Sequence, residues 1–445
     1  MEYFDSAFIE KLKGVYSISP ETYEKYDVKR GLRNKDGTGV LVGLTSIGDV
    51  RGYIIEEKDK INVPGKLTYR GVNMVDIVKE NEKRGRHAFE ETIYLILMGE
   101  LPTDEELADF KKILADNREL PAGFTEDMIL KAPSPNIMNK LARAVLATYS
   151  YDKNPDSLSL ENLVRQSIEL ISRLPAMAAY GYQAKKHYYD HDSLYLHSPR
   201  PDYDTAENIL HMIRRDNEFT ELEAEILDLL LVIHAEHGGG NNSTFATHVV
   251  SSSGTDTYSA IAAAIGSLKG PKHGGANAKV TGMVDEIKAS CNWKDEASLK
   301  DYLVKIINKE AYDKTGLIYG MGHAIYTLSD PRSELLKEKA KELAYHIGKE
   351  KEFEMYDRIE TITPELFAEL KGNKKHLCAN VDLYSGFVYS MLGIPEELYT
   401  PLFAIARIPS WCAHRIEEIV AGGKIIRPAY KSVSIKKAYV PVEER

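Results

Sequence analysis

The chain has 445 residues, enough for two domains, and 43% of them are hydrophobic, which is sufficient for a substantial core. Its formal net charge of −10 argues against a nucleic-acid partner, because nucleic-acid binding needs a concentrated basic surface. The longest apolar run, Ile226 to Ile233, is interrupted by Asp228 and falls short of the roughly 18 residues of a membrane span.

The N-terminal residues and the cysteines indicate the compartment. The segment MEYFDSAFIEK is acidic and amphipathic, whereas a signal peptide begins with a basic and then an apolar stretch. Cys291, Cys378 and Cys412 are isolated and odd in number, so they form neither a disulfide framework nor a CxxC metal site. We therefore expect a cytoplasmic protein with reduced cysteines.

The periodicity of apolar residues predicts a mainly α fold. Residues 1–36 read as a helical or partly ordered arm, and the alternation of glycine with β-branched residues between Gly37 and Gly71 predicts short strands. The C-terminal tail is also β-like. Helical patterns follow Gly71, for example Val75 to Lys83, Phe89 to Met98, Glu105 to Ala115, Ile137 to Tyr149 and Leu160 to Tyr180. The stretch His187 to His191 reads as a surface connection.

A first cluster of histidine and glycine follows a predicted helix. Thr220 to Glu223 have the form of a capping box, and apolar residues recur at helical spacing from Ile226 to Ile233. His237 falls on the same apolar face, and Gly238 begins the glycine run that ends the helix. The pattern predicts an imidazole held beside a backbone turn.

Two further histidines stand in glycine turns. The helix predicted from Tyr258 to Leu268 ends at Gly270-Pro271, and His273 follows before two more glycines. His323 ends the run GMGH, and Asp382 stands between apolar neighbours in NVDL. Taken singly, each histidine is more often a satisfied structural residue, and Asp382 could be the N-cap of a helix from Leu383 to Met391. The repetition of the pattern favours a functional site.

These motifs carry a family resemblance. HAEHGGGN, GPKHGGAN, GMGHAIYTLSDPR and NVDLYSG, in this order, resemble the citrate synthase family, as do GKLTYRG, FEETIYLILMGELPTDEEL, FAIAR and IIRP. The resemblance covers all but about the first forty residues. It implies a large helical domain, residues 1–275 and 393–445, interrupted by a small domain, residues 276–392, with the active cleft between them.

The resemblance implies that the enzyme joins the methyl carbon of acetyl-CoA to the ketone carbon of oxaloacetate and then hydrolyses the thioester to citrate and CoA. This reaction needs a carboxylate base and a donor for the developing enol oxygen. Asp382 matches the base and His273 the donor to the thioester carbonyl. His323 matches the group that polarises the ketone and protonates the new alkoxide. No metal or cofactor is implied, since acetyl-CoA is a substrate.

Oxaloacetate carries two carboxylates, which planar guanidinium groups bind well. The resemblance assigns its binding to five residues: His237, Asn241, Arg332, Arg407 and Arg427. Arg332 stands in the first turn of a helix that starts at Asp-Pro, where a cation is disfavoured unless an anion lies there. Arg427 matches an arginine contributed by the neighbouring subunit of a homodimer, and Pro428 favours an extended conformation there.

For CoA, the resemblance places the adenine against the backbone of one segment, namely Ile318, Tyr319, Gly320, Met321, Gly322 and Ala324. Lys375 is the candidate for a phosphate contact, with Lys374 as an alternative.

Some positions depart from the common family pattern, among them Gly238, Lys272 and Ala324, which leaves the acyl-CoA preference open. The main alternative is therefore a 2-methylcitrate synthase that uses propionyl-CoA. A metal hydrolase with His234, Glu236 and His237 as ligands is a remote one. A CoA-binding scaffold is disfavoured because it would not need the acid-base residues.

Overall fold

The computed structural model describes residues 6–57, 59–372 and 376–445. The chain forms two compact units, residues 1–44 and 45–445. In the first unit, helices α1 (Ser6–Tyr16) and α2 (Pro20–Lys25) precede a short 3-10 turn. Most described side chains of this unit are exposed, and its helices agree with the predicted helical arm.

The second unit begins with an antiparallel sheet in the order β1 (Gly48–Glu56), β2 (Asp59–Tyr69) and β3 (Val72–Asn73). The register pairs Gly48 with Tyr69, and the end of β2 is buried in the core. The strands predicted before Gly71 are thereby confirmed. The prediction of a β-like C-terminal tail is wrong, because residues 421–441 contain no strand and pair with no strand in the described part of this chain.

Fifteen helices make up the rest of this unit over the described residues. They are α3 (Met74–Lys83), α4 (Phe89–Met98), α5 (Asp104–Asp116), α6 (Ile137–Thr148), α7 (Leu160–Asp190), α8 (Thr205–Ile213), α9 (Glu221–His234), α10 (Asn242–Ser251), α11 (Thr257–Leu268), α12 (Ala276–Ser290), α13 (Glu296–Ile307), α14 (Pro331–His346), α15 (Glu350–Lys371), α16 (Val381–Met391) and α17 (Tyr399–Val420). The mainly α prediction is confirmed. No described helix is long and apolar enough to cross a membrane. The domain borders at 276 and 392 stay predictions, since residues 45–445 form a single compact unit.

The long helix α7 corrects one local prediction. It continues ten residues beyond Tyr180 and ends at His191, whose φ of 60° is left-handed. Residues 187–190 are therefore helical, and residues 188–190 are exposed. Lys185, in the last turns, pairs with Asp190 and with Glu397, which adds tertiary support that the sequence pattern does not reveal.

Helix α17 lies at the centre of the unit. It is buried from Tyr399 to nearly its last turn and packs against α4, α6, α7, α9, α10 and α11. A helix buried on all sides is normally apolar all round, yet α17 carries the buried polar side chains of Arg407, Ser410, His414 and Arg415. Buried polar groups need partners. Arg407 contacts His234 at the end of α9, and Ser410 and His414 contact Glu236 just after it.

Candidate active site

The turn after α9 carries the first histidine of the predicted site. The helix ends at His234, so His237 lies beyond it. The prediction that His237 lies on the apolar face of this helix is therefore wrong. The reason is a tertiary bond, since Arg407 Nε donates to the carbonyl oxygen of His234 at 2.7 Å and satisfies the helix end. Gly238 then adopts a φ of +79°, and its N–H donates to the carboxylate of Glu236.

His237 is a neutral imidazole with an unused ring nitrogen. Its ring centre lies 5.2 Å from that of His323 and 5.6 Å from that of Tyr326. Burial, together with the nearby charge of Arg332, holds the pKa of His237 well below its usual value. Its Nε2 is shielded from solvent and has no hydrogen-bond partner among the described residues. Buried ring nitrogens are normally paired, so this atom is available to a ligand.

Asn241 has a clear structural role. It is the N-cap of α10, and its Oδ1 accepts from the N–H of Thr244 at 3.1 Å. Its Nδ2 donates to the carbonyl of Gly238 at 2.6 Å and to Thr244 Oγ1 at 2.7 Å. Both amide hydrogens hold the turn together, and a direct role of Asn241 in substrate binding stays a prediction.

His273, in the turn between α11 and α12, is fixed as a donor through Nδ1. Its Nε2 accepts from the backbone N–H of Ser243 at 3.3 Å, in the first turn of α10. A neutral imidazole that accepts through Nε2 carries its proton on Nδ1. Burial, and then the charge of Arg407, lower the pKa of His273 to about 4, so the ring is neutral at physiological pH.

His323 has the opposite tautomer. Its Nδ1 accepts from the backbone N–H groups of Ile325 and Tyr326, both at 3.1 Å, so a neutral ring carries its proton on Nε2. The ring also stacks on Tyr326, with centroids 4.7 Å apart. His323 is therefore bonded to the backbone through Nδ1, and Nε2 is the nitrogen through which a neutral ring donates.

Backbone pairing joins the segment of His323 to that of Asp382. Met321 forms a bridge with Ala379, and the N–H of Asn380 donates to the carbonyl of Gly320 at 2.9 Å. Gly320 has a φ of +84°, and a Cβ there would lie 2.8 Å from the Cα of Leu383. Only glycine suits this position, because both the conformation and the close approach exclude a side chain.

Asp382 is not a helix cap, so that alternative is wrong. Asn380 is the N-cap of α16, and its Oδ1 accepts from the N–H of Asp382 at 3.0 Å. The helix begins earlier than predicted, which leaves the Asp382 carboxylate inside the first turn without a capping bond. Burial raises its pKa to about 6, against the opposing charge of Arg332. A carboxylate in this state is a stronger base than an exposed one.

Arg332 has an anionic partner within the chain. Its Nε and Nη2 donate to the two oxygens of Asp330 at 3.0 and 2.7 Å, and both residues are buried. Asp330 is also the N-cap of α14. The anion expected at this helix start is therefore Asp330 and not only a ligand. Nη1 of Arg332 makes no hydrogen bond within the described chain.

Arg407 is a buried cation with free donors. Apart from the bond of Nε to His234, its guanidinium lies over the ring of Phe403 at 4.9 Å. Burial lowers its pKa to about 10, despite the opposing effect of Glu236, so it remains charged at neutral pH. Neither Nη1 nor Nη2 bonds to any residue that the structure describes, which suits a bidentate carboxylate ligand.

The remaining predicted residues are the tail arginine, the CoA segment and two lysines. Arg427 is exposed in the tail, next to Ile426, whose N–H donates to Ser252 Oγ at 3.1 Å. In the proposed CoA segment Ile318 is buried and Ala324 is exposed. The predicted phosphate contacts, Lys374 and Lys375, fall outside the described residues.

Residues 36–429 match the family model described as citrate synthase, C-terminal domain. The citrate synthase of Haloferax volcanii is 33% identical over 430 residues, covering 94% of this chain and 99% of its own length. The chain belongs to the citrate synthase family. The 2-methylcitrate synthase of Shewanella oneidensis is 32% identical over 382 residues, covering 85% of this chain and 92% of its own length.

Solved citrate synthases share the fold. The crystal structure from Thermotoga maritima covers 94% of this chain and 99% of its own, with a TM-score of 0.73 and 30% identity. A citrate synthase from Thermoplasma acidophilum, solved as a ternary complex with carboxymethyl coenzyme A and oxaloacetate, covers the same shares with a TM-score of 0.75 and 25% identity.

Sequence reasoning missed several neighbours of the citrate synthase motifs. Tyr326 and Asp330 lie inside the quoted GMGHAIYTLSDPR, but only the fold shows that they contact His323 and Arg332. Glu236 entered only as a possible metal ligand. Its carboxylate is directed to Ser410 and His414, while Nδ1 of His234 contacts the carbonyl of Leu230. These side chains point to separate partners, which is not the arrangement of a metal site.

Proposed function

We propose that the chain is a citrate synthase that condenses acetyl-CoA with oxaloacetate and hydrolyses citryl-CoA to citrate and CoA. One observation carries the proposal: backbone N–H groups hold His273 and His323 so that opposite ring nitrogens are left as donors, and burial raises the pKa of the Asp382 carboxylate. His273 offers Nδ1, His323 offers Nε2 and Asp382 is the base. Enolisation followed by condensation needs this combination of two donors and a base.

Oxaloacetate would bind among Arg407, Arg332 and His237. The free Nη groups of Arg407 suit one carboxylate, and Nη1 of Arg332 remains for a second contact. His237 lies in the same group of residues, since its ring centre is 5.2 Å from that of His323, and its Nε2 is unpaired among the described residues. The relative from Thermoplasma acidophilum was solved in complex with oxaloacetate, which supports oxaloacetate as the ligand.

The proposed reaction begins with proton transfer from the acetyl methyl group to Asp382. The C–H electron pair forms the enol double bond, and His273 Nδ1–H stabilises the thioester oxygen as its charge develops. The enol carbon then attacks the ketone carbon of oxaloacetate, and the carbonyl electron pair moves to oxygen. His323 polarises that carbonyl through Nε2–H and protonates the alkoxide, and the proton that Asp382 took from the methyl group replaces the one that His323 lost. Water then cleaves the thioester of citryl-CoA, which releases citrate and the CoA thiol.

We further propose that CoA lies against residues 318–324, where Gly320 and Gly322 permit close approach, and that no cofactor is required. We also propose a homodimer in which Arg427 acts on the site of the neighbouring subunit. Its exposure in an extended tail supports this role. We also propose a cytoplasmic location, which the isolated cysteines support.

A thiol-release assay tests the proposed function. Purified protein should release free thiol from acetyl-CoA only when oxaloacetate is present, and a chelator should leave the rate unchanged. Thiol release without oxaloacetate, or its loss on chelation, would contradict the mechanism. Propionyl-CoA in the same assay decides the alternative: a higher kcat/KM with propionyl-CoA than with acetyl-CoA would make the chain a 2-methylcitrate synthase, consistent with its relative of that name.

A further inference from the structure

A chain of four ionisable side chains runs from the edge of α17 to the turn that carries His237. Glu418 Oε2 lies 2.8 Å from His248 Nδ1, and His248 Nε2 lies 3.1 Å from His414 Nδ1. His414 Nε2 lies 3.3 Å from Glu236 Oε2. Glu418 and His248 are partly buried, whereas His414 and Glu236 are fully buried. We call these residues the carboxylate–histidine chain.

The two carboxylates limit where the hydrogens of this chain lie. An ionised carboxylate only accepts, so the nitrogens that face the carboxylates, His248 Nδ1 and His414 Nε2, are the ones that donate. Burial, and then the charge of His414, lower the pKa of His248, and its bond to Glu418 opposes them. Burial alone would raise the pKa of Glu236, but His414 and Arg407 lower it to about 2, which keeps Glu236 ionised.

The carboxylate–histidine chain supports the turn of His237 directly. Glu236 accepts from the N–H of Gly238 through Oε1 and from the hydroxyl of Ser410 through Oε2. A Cβ built on Gly239 would lie 3.4 Å from His414 Cε1 and 3.6 Å from His248 Nε2. The glycine turn therefore lies next to the two imidazoles. The negative charge of Glu236 raises the pKa of Arg407, against the effect of burial.

We infer that Glu236, with the His414–His248 pair behind it, is a positioning residue for oxaloacetate binding. It fixes the turn that carries His237, next to the His234 carbonyl that holds Nε of Arg407, while the Nη groups of Arg407 remain free for a carboxylate. This inference rests on the proposed function, because it takes His237 and Arg407 as the oxaloacetate subsite. None of the four residues is needed as a proton donor or acceptor in the reaction itself.

Glu236→Gln tests the inference, because it retains the shape of the side chain and removes its charge. We expect the KM for oxaloacetate to rise at least about tenfold, as for loss of a charge-assisted interaction. The KM for acetyl-CoA, and kcat at saturating oxaloacetate, should stay within about threefold of wild type, since the acid-base groups are untouched. An unchanged KM for oxaloacetate in the folded variant would overturn the inference. So would a rise in the KM for acetyl-CoA and a fall in kcat as large as the rise in the KM for oxaloacetate.

Asp228→Asn is the matched control. Asp228, on α9, is also a buried carboxylate. Its oxygens accept from the N–H groups of Ala88 and Phe89, away from the glycine turn. We expect this variant to lose thermal stability without a rise in the KM for oxaloacetate. If Asp228→Asn raised that KM as much as Glu236→Gln, general loosening would explain both and the inference would fall.

A second pair of variants covers the case in which Glu236→Gln does not fold. His414→Leu and Glu418→Gln should raise the KM for oxaloacetate in the same direction, and Glu418→Gln should do so less because it lies farther from the turn. If the residues act as a unit, the double variant His414→Leu/Glu236→Gln, where it folds, should have a KM for oxaloacetate no higher than that of the single variant with the higher KM. No rise in KM in either folded single variant, or additive effects in the double, would overturn the inference.

Calorimetric titration of wild type and the variants with oxaloacetate alone separates this inference from the proposed function. Wild type that binds oxaloacetate but releases no thiol would refute the proposed function and leave the inference open to the same binding comparison. Binding that is equal in wild type and Glu236→Gln would refute the inference whatever the activity.

Discussion

At the scale of single residues, the protonation states of the candidate site are set by two different means. The tautomers of His273 and His323 are fixed by backbone N–H groups, which cannot rotate away from the ring as a side-chain donor can. The basicity of Asp382 instead comes from its burial and is moderated by Arg332. Replacing the carboxylate therefore tests the chemistry more directly than replacing a neighbour of either histidine.

Asp382→Asn should slow turnover by about 10² to 10⁴, or about 3 to 5 kcal/mol of barrier, because an amide cannot accept the methyl proton. Oxaloacetate binding should survive, since no described binding residue is bonded to the carboxylate. Steady-state kinetics and calorimetry measure the two effects. Asp301→Asn, an exposed change on α13, is the control and should behave as wild type. Near-normal turnover of Asp382→Asn would remove Asp382 from the mechanism.

The pH dependence of kcat/KM for acetyl-CoA should report the same carboxylate. Burial raises the pKa of Asp382 to about 6, so the protonated and inactive form accumulates as the pH falls through that value. We expect a rate that is level above about pH 7 and falls about tenfold per unit well below pH 6. Circular dichroism over the same range separates this limb from unfolding. A limb near pH 4 would mean that an exposed carboxylate acts as the base.

At the scale of secondary-structure elements, local signals predicted what local interactions decide. Helix α4 was predicted with its observed bounds, since Gly99 adopts the left-handed C-cap conformation. The predicted end of α9 was wrong because Arg407, 173 residues away, donates a hydrogen bond to the carbonyl of His234. The pairing of residues 320–322 with 378–380 was equally invisible, although it joins the segment of His323 to that of Asp382. Catalytic residues could be proposed from motifs, but their partners required the fold.

This pairing makes Gly320 a sensitive position, and Gly348 provides its matched control. Both have positive φ, +84° and +74°, but a Cβ at Gly348 meets nothing within 4 Å, whereas one at Gly320 meets Leu383. Each alanine variant should lose about 1 to 2 kcal/mol of stability from backbone strain. Only Gly320→Ala should also lose about 10² in kcat, because it displaces the segments of His323 and Asp382. Thermal denaturation and kinetics measure these effects, and equal kcat values would contradict the argument.

At the scale of the whole molecule, one buried helix connects the site to the rest of the fold. Helix α17 packs against six other helices and brings Arg407 to His234 at the end of α9, and Ser410 and His414 to Glu236 just after it. The chain that leaves α17 then carries Arg427, which is exposed, whereas Arg332 and Arg407 are buried. An exposed arginine in an extended tail is what we expect if, as proposed, Arg427 acts on the site of a second subunit.

Mixed dimers test that arrangement. Arg427→Ala and Asp382→Asn should each be nearly inactive, but in a mixed dimer the subunit that keeps Asp382 receives Arg427 from its partner. Random reassortment makes about half of the dimers mixed, with one of two sites intact, so roughly a quarter of wild-type activity should return. Mixing Arg427→Ala with the double variant Arg427→Ala/Asp382→Asn is the control, because no intact site can form. If mass spectrometry shows mixed dimers and no activity returns, Arg427 does not act across the interface.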